Sequence, residues 1–227
     1  MAYLGRFYRT YALDFWGFGE SGNKRGTYAV QDFVSLVDQF MDRLGINSAP
    51  LVGHSMGGTV SLSVAVQYPQ RVNKVVVVGS PIVGSSLAWA LKMAGRRPIA
   101  VLLFNMMWAF RFGMRLASPV ICHDPRFPEM MDRDLSRTTL ESFLLSIASL
   151  RRTDLRPLLS QVKVPSMGMY GDKDVIVHPM QWQPMQAGIP TARIERFPKA
   201  GHFIMLDEPV TFMQKLKDFL DAEIPAA

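Results

Sequence analysis

Leu51-Val52-Gly53-His54-Ser55-Met56-Gly57-Gly58 holds a serine with glycines at both second neighbours, directly after a short apolar run. A serine on a tight strand-to-helix turn needs small neighbours to avoid steric clash, and the G-x-S-x-G spacing supplies them. Such a turn exposes the Ser55 hydroxyl as a nucleophile. It also leaves the Met56 amide at a helix N-terminus, aimed where an oxyanion would form. The flanks fit this reading. Residues 49–52 read as a buried strand, and residues 59–68 as a largely buried helix stopped by Pro69.

Working outward, residues 7–13 are predicted to form a strand and Asp14 to Gly22 a glycine-punctuated loop. Val30, Phe33, Val34, Val37, Phe40, Met41 and Leu44 recur at helical spacing and stop at Gly45. Residues 73–79 carry a continuous β-branched run that suits a central parallel strand buried on both faces. From residue 81 to 157 the pattern turns helical and rich in Met, Phe, Trp and Arg, which reads as an insertion. Strands over 162–170 and 192–197, a short helix near 180–187 and a closing helix from Pro209 complete the chain.

This alternation predicts an α/β protein with a mostly parallel sheet flanked by helices. The core is expected in residues 1–80 and 158–227, with 81–157 as an inserted helical lid. The carboxyl ends of parallel strands carry the ligand site, so residues just after Val52, Tyr170 and Phe197 should converge.

With 227 residues, 48% of them hydrophobic and 19% charged, the chain can bury one substantial core. The net charge of +6 raises nucleic acid or an anionic membrane as partners. The basic residues are scattered, however, with small clusters only at Arg96-Arg97, Arg111/Arg115 and Arg151-Arg152. They read as a solvated basic surface without a nucleic-acid motif, and peripheral membrane contact is the weaker reading. The single cysteine, Cys122, cannot form an intrachain disulfide and is expected to be inert. The first ten residues lack a signal-peptide core, and the apolar run over 98–110 is shorter than the roughly 20 residues that span a bilayer. The expected address is therefore cytoplasmic. No metal or cofactor is expected, since Gly17-Phe18-Gly19 lacks the following glycine of a dinucleotide loop.

A serine nucleophile needs a base, normally a histidine oriented by a carboxylate. Four histidines are available. His54 adjoins the serine, where the elbow should turn its side chain elsewhere; His123 lies in the insertion; His178 precedes a proline. His202 follows the last strand at its carboxyl end and is the expected base. Gly171-Asp172-Lys173-Asp174 supplies the acid. Asp174, deeper in the loop, is favoured, whereas Asp172 is expected to brace the turn by accepting from backbone amides.

In these motifs the chain resembles the α/β-hydrolase fold family, in its lidded esterase, lipase and haloperoxidase-like group. Asp14-x-x-Gly17-x-Gly19-x-Ser21 matches the loop after the family's fourth strand, Gly53 to Gly58 the elbow, Gly171-x-x-Asp174 the acid turn and Gly201-His202 the base loop. The resemblance covers nearly the whole chain. It implies a Ser55-His202-Asp174 triad that cleaves a small-molecule ester, with Met56 in the oxyanion hole. Carbon-carbon bond hydrolases and perhydrolases share that triad, and an inactive binding module is the reading from another class. Trp89, Met93, Met106, Met107 and Phe110 of the insertion are expected to line an apolar acyl pocket.

The resemblance also implies three strands and a helix ahead of residue 7, including a His-Gly loop that donates a second oxyanion amide. One of those strands would lie between the strands at 7–13 and 49–52. Without it the sheet should either gap or re-pair, exposing an edge. The expectation drawn from this is a shortened form of a longer hydrolase, in preference to a genuinely short binding module.

Overall fold

Four consecutive valines, Val75 to Val78, are each at most 1% exposed. That run forms most of β2 (Val72–Val78), which pairs on one side with β1 (Ala49–His54) and on the other with β3 (Ser166–Gly171). Only a strand covered on both faces can bury every residue of such a run. The computed structural model describes residues 3–22, 26–94 and 107–223. Among these, β4 (Arg193–Phe197) completes a parallel four-stranded sheet in the order β1-β2-β3-β4.

The helices follow in chain order: α1 (Val30–Arg43), α2 (Met56–Gln67), α3 (Trp89–Ala94), α4 (Met107–Ile121), α5 (Phe127–Ser136), α6 (Leu140–Arg152), α7 (Trp182–Gly188), α8 (Ile204–Asp207) and α9 (Pro209–Asp221). Alternate residues of the strands point to opposite layers. Val75, Val77 and Tyr170 pack with Phe33 and Val34 of α1, Val60 and Val64 of α2 and Met185 of α7. Val76, Val78, Met167 and Met169 pack with Ile204 of α8 and Phe212, Leu216 and Phe219 of α9.

The helical periodicity read from the sequence holds in α1, where Val30, Phe33, Val34 and Met41 are buried and Gly45, at φ +65°, follows the end. Its first turn is anchored by Asp32, whose carboxylate accepts from the amides of Thr27 and Ala29 at 2.7 and 3.2 Å. The strand expected over 162–170 starts later, at Ser166, after a 3-10 turn over Arg156–Gln161 and the donor-less Pro165.

Residues 7–13 correct the sequence expectation: they form no strand. A strand needs a neighbour to receive its amides and carbonyls, and these residues instead carry the chain from one helical layer to the other. The Lys217 ammonium lies 4.6 Å from the centre of the Phe7 ring, and the Tyr8 hydroxyl donates to the Asp221 carboxylate. Tyr11 sets its edge against Phe40 of α1 at 5.9 Å. Because residues 7–13 form no strand, neither the gap nor the re-pairing expected for the sheet arises among the described strands; β1 is simply an edge, with Val52 45% exposed.

Between β2 and β3 the described chain is helical. Its last helix, α6, is capped by the Thr139 hydroxyl, which accepts from Ser142 N at 3.1 Å. Ser142 Oγ in turn donates to Gly17 O at 2.7 Å, fastening the loop of residues 14–22 to α6. No described helix is long and apolar enough to cross a membrane.

At the far end of β2, Lys74 is buried at 4% exposure. Its ammonium donates to Phe219 O at 3.1 Å, Leu220 O at 2.6 Å and Ala222 O. Those carbonyls belong to the last turn of α9, which has no intrahelical donors for them. A cation supplied from the neighbouring strand satisfies all three and complements the helix dipole.

Candidate active site

Ser55 joins β1 to α2 with φ 53° and ψ −122°, a conformation that L residues rarely adopt. Strain of this kind persists only where the surroundings over-determine it. Here Ser55 N donates to Val78 O at 2.8 Å, and Gly53 makes the approach of α2 possible. A Cβ on Gly53 would lie 2.2 Å from the carbonyl of Gly57. Gly57 itself has nothing within 4 Å of such an atom, whereas on Gly58 it would meet Ser80 Oγ at 1.9 Å. The tight contacts thus fall on Gly53, the first glycine of the motif, and on Gly58 beyond it, but not on Gly57, the second. Met56 begins α2, so its amide has no intrahelical acceptor and is free to serve a ligand.

The end of β2 is where the remaining pieces meet. Gly79, at φ +54°, lies so close to the base loop that a Cβ there would be 3.2 Å from His202 O and 3.4 Å from His202 Nδ1, with Asp174 Oδ2 at 3.5 Å. Ser55 holds the carbonyl of the preceding residue. The loops after β1, β3 and β4 therefore converge at one strand end, as the parallel topology requires.

Asp174 and His202 are 7% and 3% exposed. Asp174 Oδ1 accepts from the amides of Ile176 and Val177 at 2.8 and 2.9 Å, and its Oδ2 lies 2.7 Å from His202 Nδ1. A carboxylate only accepts, so Nδ1 carries the proton and the neutral ring keeps Nε2 bare. The structure thus brings Asp174 and His202 together as a buried pair beside the Ser55 elbow.

Two sequence expectations are corrected. Asp172 does not brace the turn through backbone amides; its two carboxylate oxygens accept from Arg196 Nε at 3.0 Å and Nη2 at 2.8 Å. The flat guanidinium offers a fork that matches both oxygens. His54, expected to point elsewhere, lies against His202: its ring is centred 4.7 Å from that of His202 and its Nε2 is 3.0 Å from His202 O. Burial first, and then repulsion from the His202 ring when that ring carries a second proton, push the His54 imidazole down to about 3.

Sequence reasoning also missed Asp207. It accepts from Gly201 N at 2.7 Å and His123 N at 2.8 Å, tying the loop of His202 to the residues just after α4. Burial alone would raise its carboxyl, but these amide donors and the Cys122 thiol hold it below the usual range. The signal available in the sequence was an aspartate five residues beyond His202. Cys122 is 2% exposed, and burial pushes its thiol up to about 11. His178 accepts from Met180 N at 3.3 Å.

A cavity of about 620 Å³ reaches Asp174 between residues 83–92 and 174–184, bordered by Ser86, Leu87, Lys92, Ile176 and His178 among others. Trp89 is 73% exposed and, like the half-buried Met93, is not among its lining residues. Met106 lies outside the described residues. Met107 and Phe110 fall in the first turn of α4, with side chains outside the description.

A family model described as "Serine aminopeptidase, S33" matches residues 5–209. The chain is 30% identical over 199 residues to the 2-hydroxy-6-oxo-6-phenylhexa-2,4-dienoate hydrolase of Burkholderia cepacia, covering 81% of this chain and 66% of that protein's length. An α/β hydrolase enzyme from a Medee basin deep-sea metagenome library superposes with a TM-score of 0.78 at 21% identity, over 100% of this chain and 85% of that one. An esterase from Exiguobacterium antarcticum gives 0.76 at 21% identity, over 92% and 80%. The fold of these solved structures is the fold of this chain.

Proposed function

The chain belongs to the α/β-hydrolase family, and from that premise we propose that it is a serine hydrolase that cleaves carboxylic esters of small to medium, hydrophobic acyl groups. The observation that carries this reading is the buried Asp174–His202 pair, 2.7 Å apart, at the strand end that also holds the strained Ser55.

In this reading the bare Nε2 of His202 takes the Ser55 proton as Oγ adds to the ester carbonyl. The Met56 amide donates to the oxyanion that forms. Collapse of the tetrahedral species breaks the bond to the alcohol oxygen, which leaves with the proton from His202. Water then adds to the acyl-enzyme, giving a proton to His202, and the acid departs as Ser55 recovers its hydrogen. Asp174 fixes the tautomer throughout and faces the imidazolium while it lasts. In this reading the helical segment between β2 and β3 acts as the lid.

A second reading, hydrolysis of a carbon-carbon bond beside a ketone, is favoured by one specific observation: the Burkholderia relative at 30% identity is named for such a substrate. The same serine, base and acid would serve it.

The test is turnover of p-nitrophenyl acetate, butyrate and octanoate, and of 2-hydroxy-6-oxo-6-phenylhexa-2,4-dienoate, by the native chain and by Ser55→Ala. Ester turnover that falls by about 10⁴-fold or more in Ser55→Ala supports the proposal. Turnover of the dienoate alone replaces it with the second reading. Turnover indifferent to Ser55 rejects both.

A further inference from the structure

The residue before the serine makes a contact that the elbow alone does not require. His54 is the last residue of β1, and its ring is enclosed on the side of the base loop, 4.7 Å from the His202 ring and 4.9 Å from the Phe203 ring. Phe203 is itself backed by Phe127 at the start of α5, at 4.6 Å. From this enclosure Nε2 reaches His202 O at 3.0 Å. A carbonyl only accepts, so Nε2 bears the hydrogen and donates it.

We propose that His54 is a positioning residue for His202: its Nε2–H pins the backbone of the base to the nucleophile's own strand, fixing where the His202 ring stands between Asp174 and Ser55. The inference rests on the hydrolase reading of Ser55 and His202. Asp174 holds the ring at Nδ1, and the hold on the backbone carbonyl fixes the point from which that ring projects. The hold comes from the residue adjacent to Ser55, so nucleophile and base cannot drift apart independently.

The chemistry of the donor fits the task. A lysine or arginine could hold the same carbonyl, but its charge would oppose the imidazolium that His202 becomes during turnover. His54 is kept neutral, since burial, reinforced by His202 whenever that ring is protonated, holds its ionisation near 3. It therefore supplies a hydrogen bond without a competing charge. A misplacement of about 1 Å in a reacting group can cost on the order of 10²-fold in rate, which sets the scale of the expected effect.

His54→Phe keeps a ring against Phe203 and removes the donor; His54→Gln keeps a donor near the position of Nε2. Both are compared with the native chain by the rate at which a fluorophosphonate labels Ser55, and by NMR of the His202 Nδ1 proton. Labelling should slow about 10- to 100-fold in His54→Phe and stay close to native in His54→Gln. The Nδ1 proton should exchange rapidly in the first variant and remain protected in the second. Equal labelling and equal protection in all three proteins would overturn the proposal. Should His54→Phe fail to fold, the native protein alone still decides: His54 must carry its proton on Nε2 at neutral pH, and a proton on Nδ1 would sink the idea. Absence of native labelling with the His202 signature intact rejects the hydrolase reading instead, so the two failures are told apart.

Discussion

Gly58 and Ser80 approach so closely that a Cβ on Gly58 would lie 1.9 Å from Ser80 Oγ. This contact seats α2 against the end of β2 and separates two glycines that look alike in sequence. Gly58→Ala should lower stability by about 1–3 kcal/mol through overpacking. Gly57→Ala enters open space in a helix and should be neutral or stabilising by up to about 1 kcal/mol. Urea midpoints of the two variants check this, and equal losses would contradict it.

Asp174 and Asp172 should part just as sharply. Asp174→Asn turns an amide toward His202 Nδ1, favouring the tautomer with its proton on Nε2, where a base is required. The kcat on the proposal's ester substrate should drop by about 10⁴-fold. Asp172→Asn weakens a half-exposed ion pair with Arg196, so stability should change by less than about 1 kcal/mol and kcat should hold. Steady-state kinetics of both variants provide the comparison.

Acid should destabilise the fold partly through His54. In the unfolded chain this imidazole takes up a proton near its ordinary value of 6.5, whereas in the fold it does so only near 3. Between those values the unfolded state binds the extra proton, so stability present above about pH 6.5 is lost as pH falls toward 3. The full loss is of the order of 3–5 kcal/mol. Urea titrations at pH 7 and pH 4 should differ less in His54→Gln than in the native chain. An identical difference in both would exclude the effect.

Lys74→Met should strip the last turn of α9 of its donor. Leaving the buried Phe219 carbonyl unpaired, and the part-buried Leu220 and Ala222 carbonyls to water, costs about 1–3 kcal/mol, and amide exchange over the final turns of α9 should accelerate. Hydrogen exchange that stays unchanged there would show that the lysine does not hold the helix end.

Cys122 should be nearly inert toward thiol reagents in the folded protein. With its ionisation pushed up to about 11, little thiolate exists at pH 8, and the sulfur is covered. Reaction with Ellman's reagent should be slower by about 100-fold or more than in the denatured chain. Prompt labelling of the folded protein would refute this.

What was legible in the sequence was whatever short-range patterning controls. The Gly53-to-Gly58 run announced a strand, a sharp turn and a helix, and the 3.6-residue spacing of α1 and the valine run of β2 needed no partner to be recognised. The Asp174–His202 pairing followed from one topological rule about strand ends. Residues 7–13 show the limit: their composition suits a strand, but a strand exists only if another supplies its hydrogen bonds, and no local pattern records that supply. Asp172 failed for a similar reason, because Arg196 competes for it from β4. The partner of His54 was hidden because its acceptor, the carbonyl of His202, lies on a loop distant in sequence that no local pattern around the elbow records.

The strand order β1-β2-β3-β4 repeats the order of synthesis, and every pairing is parallel. Each new strand can therefore add to an edge already made, but none pairs locally: β3 reaches Val75 only after the whole helical segment has been threaded. On a ribosome adding about 5–20 residues per second, Ser55 emerges on the order of 10 s before His202. For that interval the nascent chain carries its serine without a base, beside a strand edge still waiting for its neighbour. The order of the strands in the sheet is thus also a timetable, in which the pair that would activate Ser55 arrives last.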